Sequence, residues 1–291
     1  MTALSNDYQL RTFLIEGLNL GKKIFNWKNR LFISHTKTNN ENIASVSVVI
    51  NRPYKYTLGR IDVPPEDIRD QTEALEIIGS FLACYYLANN KHRPRLIRSH
   101  RLITPFGKTE SPLKLVTKSI LLKSDIKSQR AKPPTDKIIV SLKLTRKLFD
   151  KIMKIPKKNN PELAVALGVY QRSREQYADT LKNFLDLVTV LDCLLTDRRG
   201  DTTYKFALRT SIFAEKDRRK RFSLFRELQT IYDARSDLVH GHKLPLAYGT
   251  AYDGYEEFLR PVVETTLRNY IQLASKGIKK KDILQLIDKK A

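Results

Sequence analysis

The sequence predicts an α+β N-terminal domain followed by an all-α helical bundle. At 291 residues the chain is long enough for about two domains. In its N-terminal third, β-branched and apolar residues alternate between turn-forming Asn and Pro residues, a pattern typical of strands. From about residue 146, apolar residues recur at three- and four-residue steps, which is typical of amphipathic helices. We therefore predict an α+β domain over 1–145, a helical bundle over 146–275 and a basic tail over 276–291.

Local patterns predict the elements of the N-terminal domain. Strands are predicted over 31–36, 43–50 and 54–63, and a further strand over 137–144, where apolar and β-branched residues cluster. Two consecutive prolines followed by two acidic residues predict the start of a helix over about 65–90. The apolar side of this helix is predicted to consist of Leu75, Ile78, Leu82, Tyr85 and Tyr86.

The helical region begins after a proline-containing break. Asn160 is expected to cap a helix whose first residue is Pro161. Later helices are predicted over about 204–213, 222–240 and 256–274. The strongest apolar stripe consists of Leu181, Phe184, Leu185, Val188, Leu191, Leu194 and Leu195. In the 222–240 helix, the residues spaced to face a core are Phe222, Phe225, Leu228, Ile231, Tyr232 and Leu238.

Positive charge is concentrated in one part of the chain. The 53 Lys and Arg residues exceed the 31 Asp and Glu residues by 22. Residues 91–158 contain 20 basic and 4 acidic residues, so 16 of the 22 excess charges lie there. Such a block predicts a polyanionic partner, most often nucleic acid, although a solvated lysine-rich face has the same composition. The candidate RNA contacts in this block are Arg93, Arg95, Arg98 and Arg101.

Composition excludes several classes of protein. Two cysteines, Cys84 and Cys193, are too few for a disulfide framework or a four-cysteine zinc site. His35, His92 and His100 lack the spacing of metal ligands, so neither a metal nor another cofactor is predicted. The N-terminus lacks the pattern of a signal peptide, and no apolar run approaches the ~18 residues of a membrane span. We therefore expect a cytoplasmic protein with no membrane partner.

The sharpest motif lies at the end of the predicted 222–240 helix, where Arg235 and His240 stand five residues apart. An arginine and a histidine at this spacing occur by chance in many helices. A histidine in the last turn also interacts favourably with the helix dipole when it is charged. Spacing alone therefore leaves a structural and a chemical interpretation open.

The wider context of this motif resembles the HEPN superfamily and, within it, the ApeA-like branch. Segment 231–241 is similar to the RxxxxH motif helix of that branch. An apolar segment at 191–195 and an arginine-bearing segment at 206–209 precede it in the family's order. The stretch at 163–177 fits as well. The resemblance covers roughly residues 146–275 and does not extend to the N-terminal part.

This resemblance implies a metal-independent endoribonuclease of the kind found in toxin–antitoxin and anti-phage defence systems. In such enzymes the ribose 2′-hydroxyl attacks the adjacent phosphodiester, which leaves a 2′,3′-cyclic phosphate and a 5′-hydroxyl. His240 would transfer protons near neutral pH, and Arg235 would stabilise the charge that develops on the phosphate oxygens. RNA is the implied partner because DNA lacks the attacking hydroxyl, and no cofactor is needed.

Residues near the motif are further candidates. Ser236 and Asp237 are expected to support the catalytic pair, and His242 either assists it or is a loop residue. Ser236 departs from the Asn, Asp or His that often follows the arginine in nucleolytic members, yet it still offers a hydroxyl. A basic run just before the motif helix forms either an RNA backbone contact or a solvated loop. It consists of Arg218, Arg219, Lys220 and Arg221.

The spacing of the pair also predicts an assembly. Five residues along an α-helix correspond to about 140° of rotation and roughly 7.5 Å of rise, so Arg235 and His240 do not share one face. In the family, a two-fold dimer brings both Arg–His pairs into one cleft. A homodimer through this helix is therefore part of the hypothesis. The alternative is a non-catalytic RNA-binding or protein-interaction module, including an antitoxin or defence-system partner.

Overall fold

The fold consists of two compact units, residues 1–146 and residues 147–291. Strands and helices make up the first unit, and helices make up the second, as the sequence predicts. A computed structural model describes residues 8–16, 25–28, 30–35, 43–50, 65–88, 95–106, 136–174, 180–197, 201–240 and 249–290. The predicted strand over 54–63 lies outside the described residues.

The first unit contains a five-stranded antiparallel sheet. Its strands are β1 (Tyr8–Glu16), β2 (Phe25–Trp27), β3 (Leu31–His35), β4 (Ile43–Ile50) and β5 (Arg95–Phe106). Their order across the sheet is β2-β3-β4-β1-β5. Sequence analysis predicts β3 and β4 but misses β1, β2 and β5. β5 is an edge strand of this sheet, where charged residues and proline are common. Its three arginines and one proline interrupt the alternation of apolar residues that predicts a strand.

The first helix, α1 (Pro65–Ala88), covers this sheet and packs against β4. It begins at the predicted proline. Of the predicted apolar side, Leu75 is half-buried and the other four residues are buried. Every residue from 81 to 87 is buried, so all sides of the helix are covered at this end and not only its predicted apolar side. An ion pair of 3.5 Å between Arg30 and Glu73 links α1 to the start of β3.

The predicted strand over 137–144 is wrong. This segment belongs to a helix, α2 (Asp136–Ile152). Its buried residues Thr145, Phe149 and Ile152 recur at steps of four and three, which is the period of a helix and not of a strand. The β-branched residues Ile138 and Ile139 at its start imitate a strand locally, but the longer period determines the structure.

The second unit is a bundle around one central helix. Its helices are α3 (Pro161–Arg172), α4 (Thr180–Leu195), α5 (Thr202–Ala214), α6 (Arg218–His240), α7 (Gly249–Ala274) and α8 (Lys280–Asp288). The central helix is α4, which packs against α3, α5 and α7. Its predicted stripe is buried at Phe184, Val188, Leu191, Leu194 and Leu195, and half-buried at Leu181 and Leu185.

The first helix of the bundle starts at Pro161 as predicted, but Asn160 does not cap it through its side chain. Instead, Asn160 Oδ1 accepts a hydrogen bond of 3.0 Å from the Tyr270 hydroxyl. Its Nδ2 donates to the Ile278 carbonyl over 3.2 Å. The buried amide therefore links the start of α3 to α7 and to the segment that precedes α8.

The C-terminal tail of the sequence packs on the bundle through α8. Ile283, Leu284 and Ile287 of α8 are buried. At its end, Asp288 accepts two hydrogen bonds from the buried Arg209, from Nε over 2.8 Å and from Nη2 over 2.9 Å. This two-pronged pairing fixes the tail to α5.

Candidate functional site

The candidate site lies on α6, a helix that is mostly exposed. The Asp217 carboxylate accepts a hydrogen bond of 2.9 Å from the Arg219 backbone N–H at the start of the helix. Of the 23 residues of α6, only Leu228, Ile231 and Tyr232 are buried. The Tyr232 ring packs against Phe206 of α5 with ring centroids 4.7 Å apart. A buried strip therefore attaches α6 to the bundle, and 11 of its 23 residues are exposed.

Phe222 does not face the core, contrary to the sequence prediction. Its side chain is 64% exposed, whereas Phe225 and Leu238 are half-buried. The helical period places Phe222 about 120° away from Leu228, the centre of the buried strip. The guanidinium of Arg226 lies over its ring instead, 5.4 Å from the centroid.

Arg235 lies on the side of α6 that approaches the bundle. Arg235 is half-buried, and its guanidinium carbon lies 5.7 Å from the centroid of the Tyr232 ring. Within the described residues it forms no hydrogen bond and no ion pair. An aromatic face therefore positions this cation without neutralising it, and its N–H donors remain available to an anion.

An acidic side chain of α4, Asp192, acts on the Tyr232 hydroxyl. Burial raises the pKa of Tyr232, the negative charge of Asp192 raises it further, and the positive charge of Arg235 opposes both. Asp192 and Arg235 therefore both lie close enough to the Tyr232 hydroxyl to act on its proton affinity. Asp192 also accepts a hydrogen bond of 2.7 Å from the Thr196 hydroxyl. Sequence reasoning missed Asp192, although an acidic residue inside the apolar segment 191–195 is a signal that could have found it.

The remaining motif residues lie on the last two turns of α6. His240 is the last residue of the helix and is exposed, and Ser236 and Asp237 are half-buried. Val239, beside His240, is 53% exposed although it is apolar. Arg235 and His240 project from different sides of the helix, as their spacing requires. His242 lies outside the described residues.

The basic candidates before the motif do not all have the same surroundings. Arg218, Arg219 and Lys220 are exposed on the first turn of α6. Arg221 is half-buried and donates from Nε to the Glu215 carbonyl over 2.7 Å. Its Nη2 donates to the Lys216 carbonyl over 3.1 Å. Arg221 therefore holds the α5–α6 connection, which leaves the other three as candidate phosphate contacts.

Three of the four basic candidates in the first unit lie on one strand. Arg95, Arg98 and Arg101 lie on β5, whose pairing with β1 shifts register between Thr12 and Leu14. Arg93 lies outside the described residues.

Comparison of the chain with protein-family models, with curated proteins and with solved structures gives no match in any of the three. None of the helices in the described ranges combines the length and apolar character required to cross a membrane.

Proposed function

We propose that this chain is a metal-independent endoribonuclease of HEPN type that acts in toxin or anti-phage defence. The observation that carries the proposal is the arrangement at the end of α6. An exposed histidine, His240, lies one to two turns beyond an arginine whose charge no carboxylate neutralises among the described residues. The setting in defence rests on the resemblance of the 231–241 motif to the ApeA-like branch.

The proposed chemistry needs a proton carrier and a fixed cation. The 2′-hydroxyl of the substrate loses its proton and forms a bond to phosphorus, while the bond from phosphorus to the 5′-oxygen breaks and that oxygen takes up a proton. His240 is exposed, so its imidazole reaches a bound strand and moves these protons. The guanidinium of Arg235, held over the Tyr232 ring, donates hydrogen bonds to the phosphate oxygens as negative charge develops on them.

A second copy of the chain completes the proposed site. Because Arg235 and His240 lie about 140° apart around α6, one helix presents only one of them well to a single phosphate. Two copies of α6 related by a two-fold axis would place both residue types in one cleft. The exposed Val239 beside His240 offers an apolar contact near that axis. A strict monomer in light scattering at micromolar concentration, combined with full RNA cleavage, would contradict this part of the proposal.

The proposal is tested by incubating the purified full-length protein with total RNA in the presence of EDTA. We expect cleavage that leaves 2′,3′-cyclic phosphate ends, and the same protein with His240→Ala should cut at least ~100-fold more slowly. A DNA oligonucleotide of matched sequence should bind through its phosphates and stay intact. If wild-type protein binds RNA but never cuts it, the chain is a non-catalytic RNA-binding module.

A further inference from the structure

The N-terminal half of α6 carries an aromatic surface that the bundle does not cover. Phe222 is 64% exposed, and Tyr204 of α5 is 48% exposed. The ring of Phe225 packs edge to face against Tyr204, with 5.6 Å between the ring centroids. Phe222 is one turn before Phe225 on the same helix, so the two are neighbours on its surface. A cluster of exposed apolar side chains is a common mark of a binding surface.

The surroundings of these rings are cationic. Residues 215–226, which include the first turns of α6, contain six Lys or Arg residues and two acidic residues. Arg218, Arg219 and Lys220 are exposed there. Both acidic residues accept hydrogen bonds from the local backbone, Glu215 from the Asp217 N–H and Asp217 from the Arg219 N–H. The surface therefore combines exposed aromatic side chains with positive charge, including the Arg226 guanidinium that lies over one face of Phe222. This combination complements the bases and phosphates of a nucleic acid.

Helical geometry connects this surface to the candidate site. Phe222 and His240 are 18 residues apart, which is five full turns at 3.6 residues per turn, so they lie on the same side of α6. The distance along the axis is about 27 Å. Arg226, Gln229 and Asp233 lie between them near the same line, and all but the half-buried Gln229 are exposed. A strand that stacks on Phe222 and follows this line reaches His240.

We infer that Phe222, with Tyr204 and the exposed cations of the first turn, forms a stacking platform for single-stranded RNA. The inference rests on the proposed function only for the identity of the polymer, not for its cleavage. Single strands fit better than duplexes because the faces of paired bases are already stacked within the helix. The cations contribute affinity for any sequence, and the rings contribute selectivity for unpaired bases.

The test measures binding of the full-length protein to a fluorescent 2′-O-methyl RNA oligonucleotide of 20 residues by anisotropy, alone or annealed to its complement. This probe lacks the attacking hydroxyl, so binding is measured whether or not the protein cuts RNA. We expect the single strand to bind at least ~10-fold more tightly than the duplex. Phe222→Ala should weaken single-strand binding roughly tenfold and leave duplex binding unchanged.

Matched variants separate stacking from other roles of this surface. Phe222→Trp should retain binding, Phe222→Leu should lose it, and Tyr204→Ala should weaken it to a smaller extent. Leu286→Ala, which truncates a 43% exposed apolar side chain of α8, should change nothing. Equal binding by the Phe222→Ala variant would overturn the inference. So would a Phe222→Ala variant that dissociates a dimer in sedimentation while its affinity for the probe is unchanged, since the surface would then be a protein interface.

Discussion

Two arginines of the helical unit, Arg209 on α5 and Arg235 on α6, differ in what surrounds their guanidinium groups. Arg209 is 4% exposed and donates to the Leu195 carbonyl and to the carboxylates of Asp197 and Asp288. Arg235 is half-buried and contacts the face of Tyr232, with no carboxylate partner in the described residues. The first guanidinium is saturated by acceptors of its own chain, and the second is positioned but not saturated.

This difference is the one expected between an arginine that stabilises the fold and an arginine that binds a phosphate group. A buried charge is tolerated when hydrogen bonds and opposite charges compensate for its lost hydration. A cation intended for a phosphate must keep its donors unused until the substrate arrives. We therefore expect the two arginines to respond in opposite ways when stability and activity are measured in the same variants.

The largest expected effect is on the activity of Arg235→Ala. Removing this guanidinium leaves the developing phosphate charge without its donor, so we expect RNA cleavage to fall by ~100-fold or more. The free energy of unfolding should change by less than about 1 kcal/mol, because only the contact with the Tyr232 ring is lost. Single-turnover cleavage and urea unfolding of the same preparation measure both quantities. If the variant unfolds readily or cuts RNA at the wild-type rate, Arg235 has a structural role and not a catalytic one.

Arg209→Ala should have the reverse profile. Its truncation leaves a buried carbonyl of Leu195 without a donor and separates α8 from α5, so we expect a loss of about 2–3 kcal/mol in the free energy of unfolding. Protein that remains folded at low temperature should still cut RNA.

A milder variant serves as the control for this second prediction. Asp288→Asn keeps the shape of the α8 contact and removes one charge, so its stability should lie between those of the wild type and Arg209→Ala. Equal stability of Arg209→Ala and the wild type would contradict the structural assignment.

A third and smaller effect concerns the basic block of the first unit. Reversing the charges of Arg93, Arg95, Arg98 and Arg101 to Glu should weaken RNA affinity about tenfold for most sequences alike and should flatten its dependence on salt. Binding assays from 50 to 300 mM salt measure the slope. Affinity that does not change with salt in the wild type would identify this block as a solvated face.

The smallest effect is a pH dependence from Asp197. The hydrogen bond from Lys205 lowers the pKa of the Asp197 carboxyl, and the guanidinium of Arg209 lowers it further. A lowered pKa in the folded state contributes stability above the ordinary aspartate pKa near 4, and this contribution is lost as the pH falls below it. Urea midpoints from pH 6 to pH 3 should therefore converge for the wild type and Asp197→Asn. A constant difference, or one that grows toward low pH, would contradict the assignment.

Local sequence patterns predicted the bundle and the end of α6, because a 3.6-residue period over many residues reports one buried face. These patterns did not predict contacts between residues that are far apart in the sequence. Asp288, which pairs with Arg209, is 79 residues away along the chain, so no local pattern could identify Arg209 as a buried arginine with carboxylate partners. Phe222 has the spacing of a core residue, yet no neighbouring helix covers it among the described residues. The first residues of α2 are rich in β-branched side chains, and a strand was predicted there in error because the helical period only becomes clear over a longer segment.

The central claim is that the substrate's own 2′-hydroxyl is the nucleophile at the Arg235–His240 site. Its most direct test uses an RNA oligonucleotide that the wild-type protein cuts at one position and a second one with a single 2′-deoxynucleotide on the 5′ side of that bond. We predict that the substituted oligonucleotide binds with similar affinity but remains intact at that bond under EDTA. Cleavage of the substituted bond at the rate of the all-RNA bond would contradict the claim.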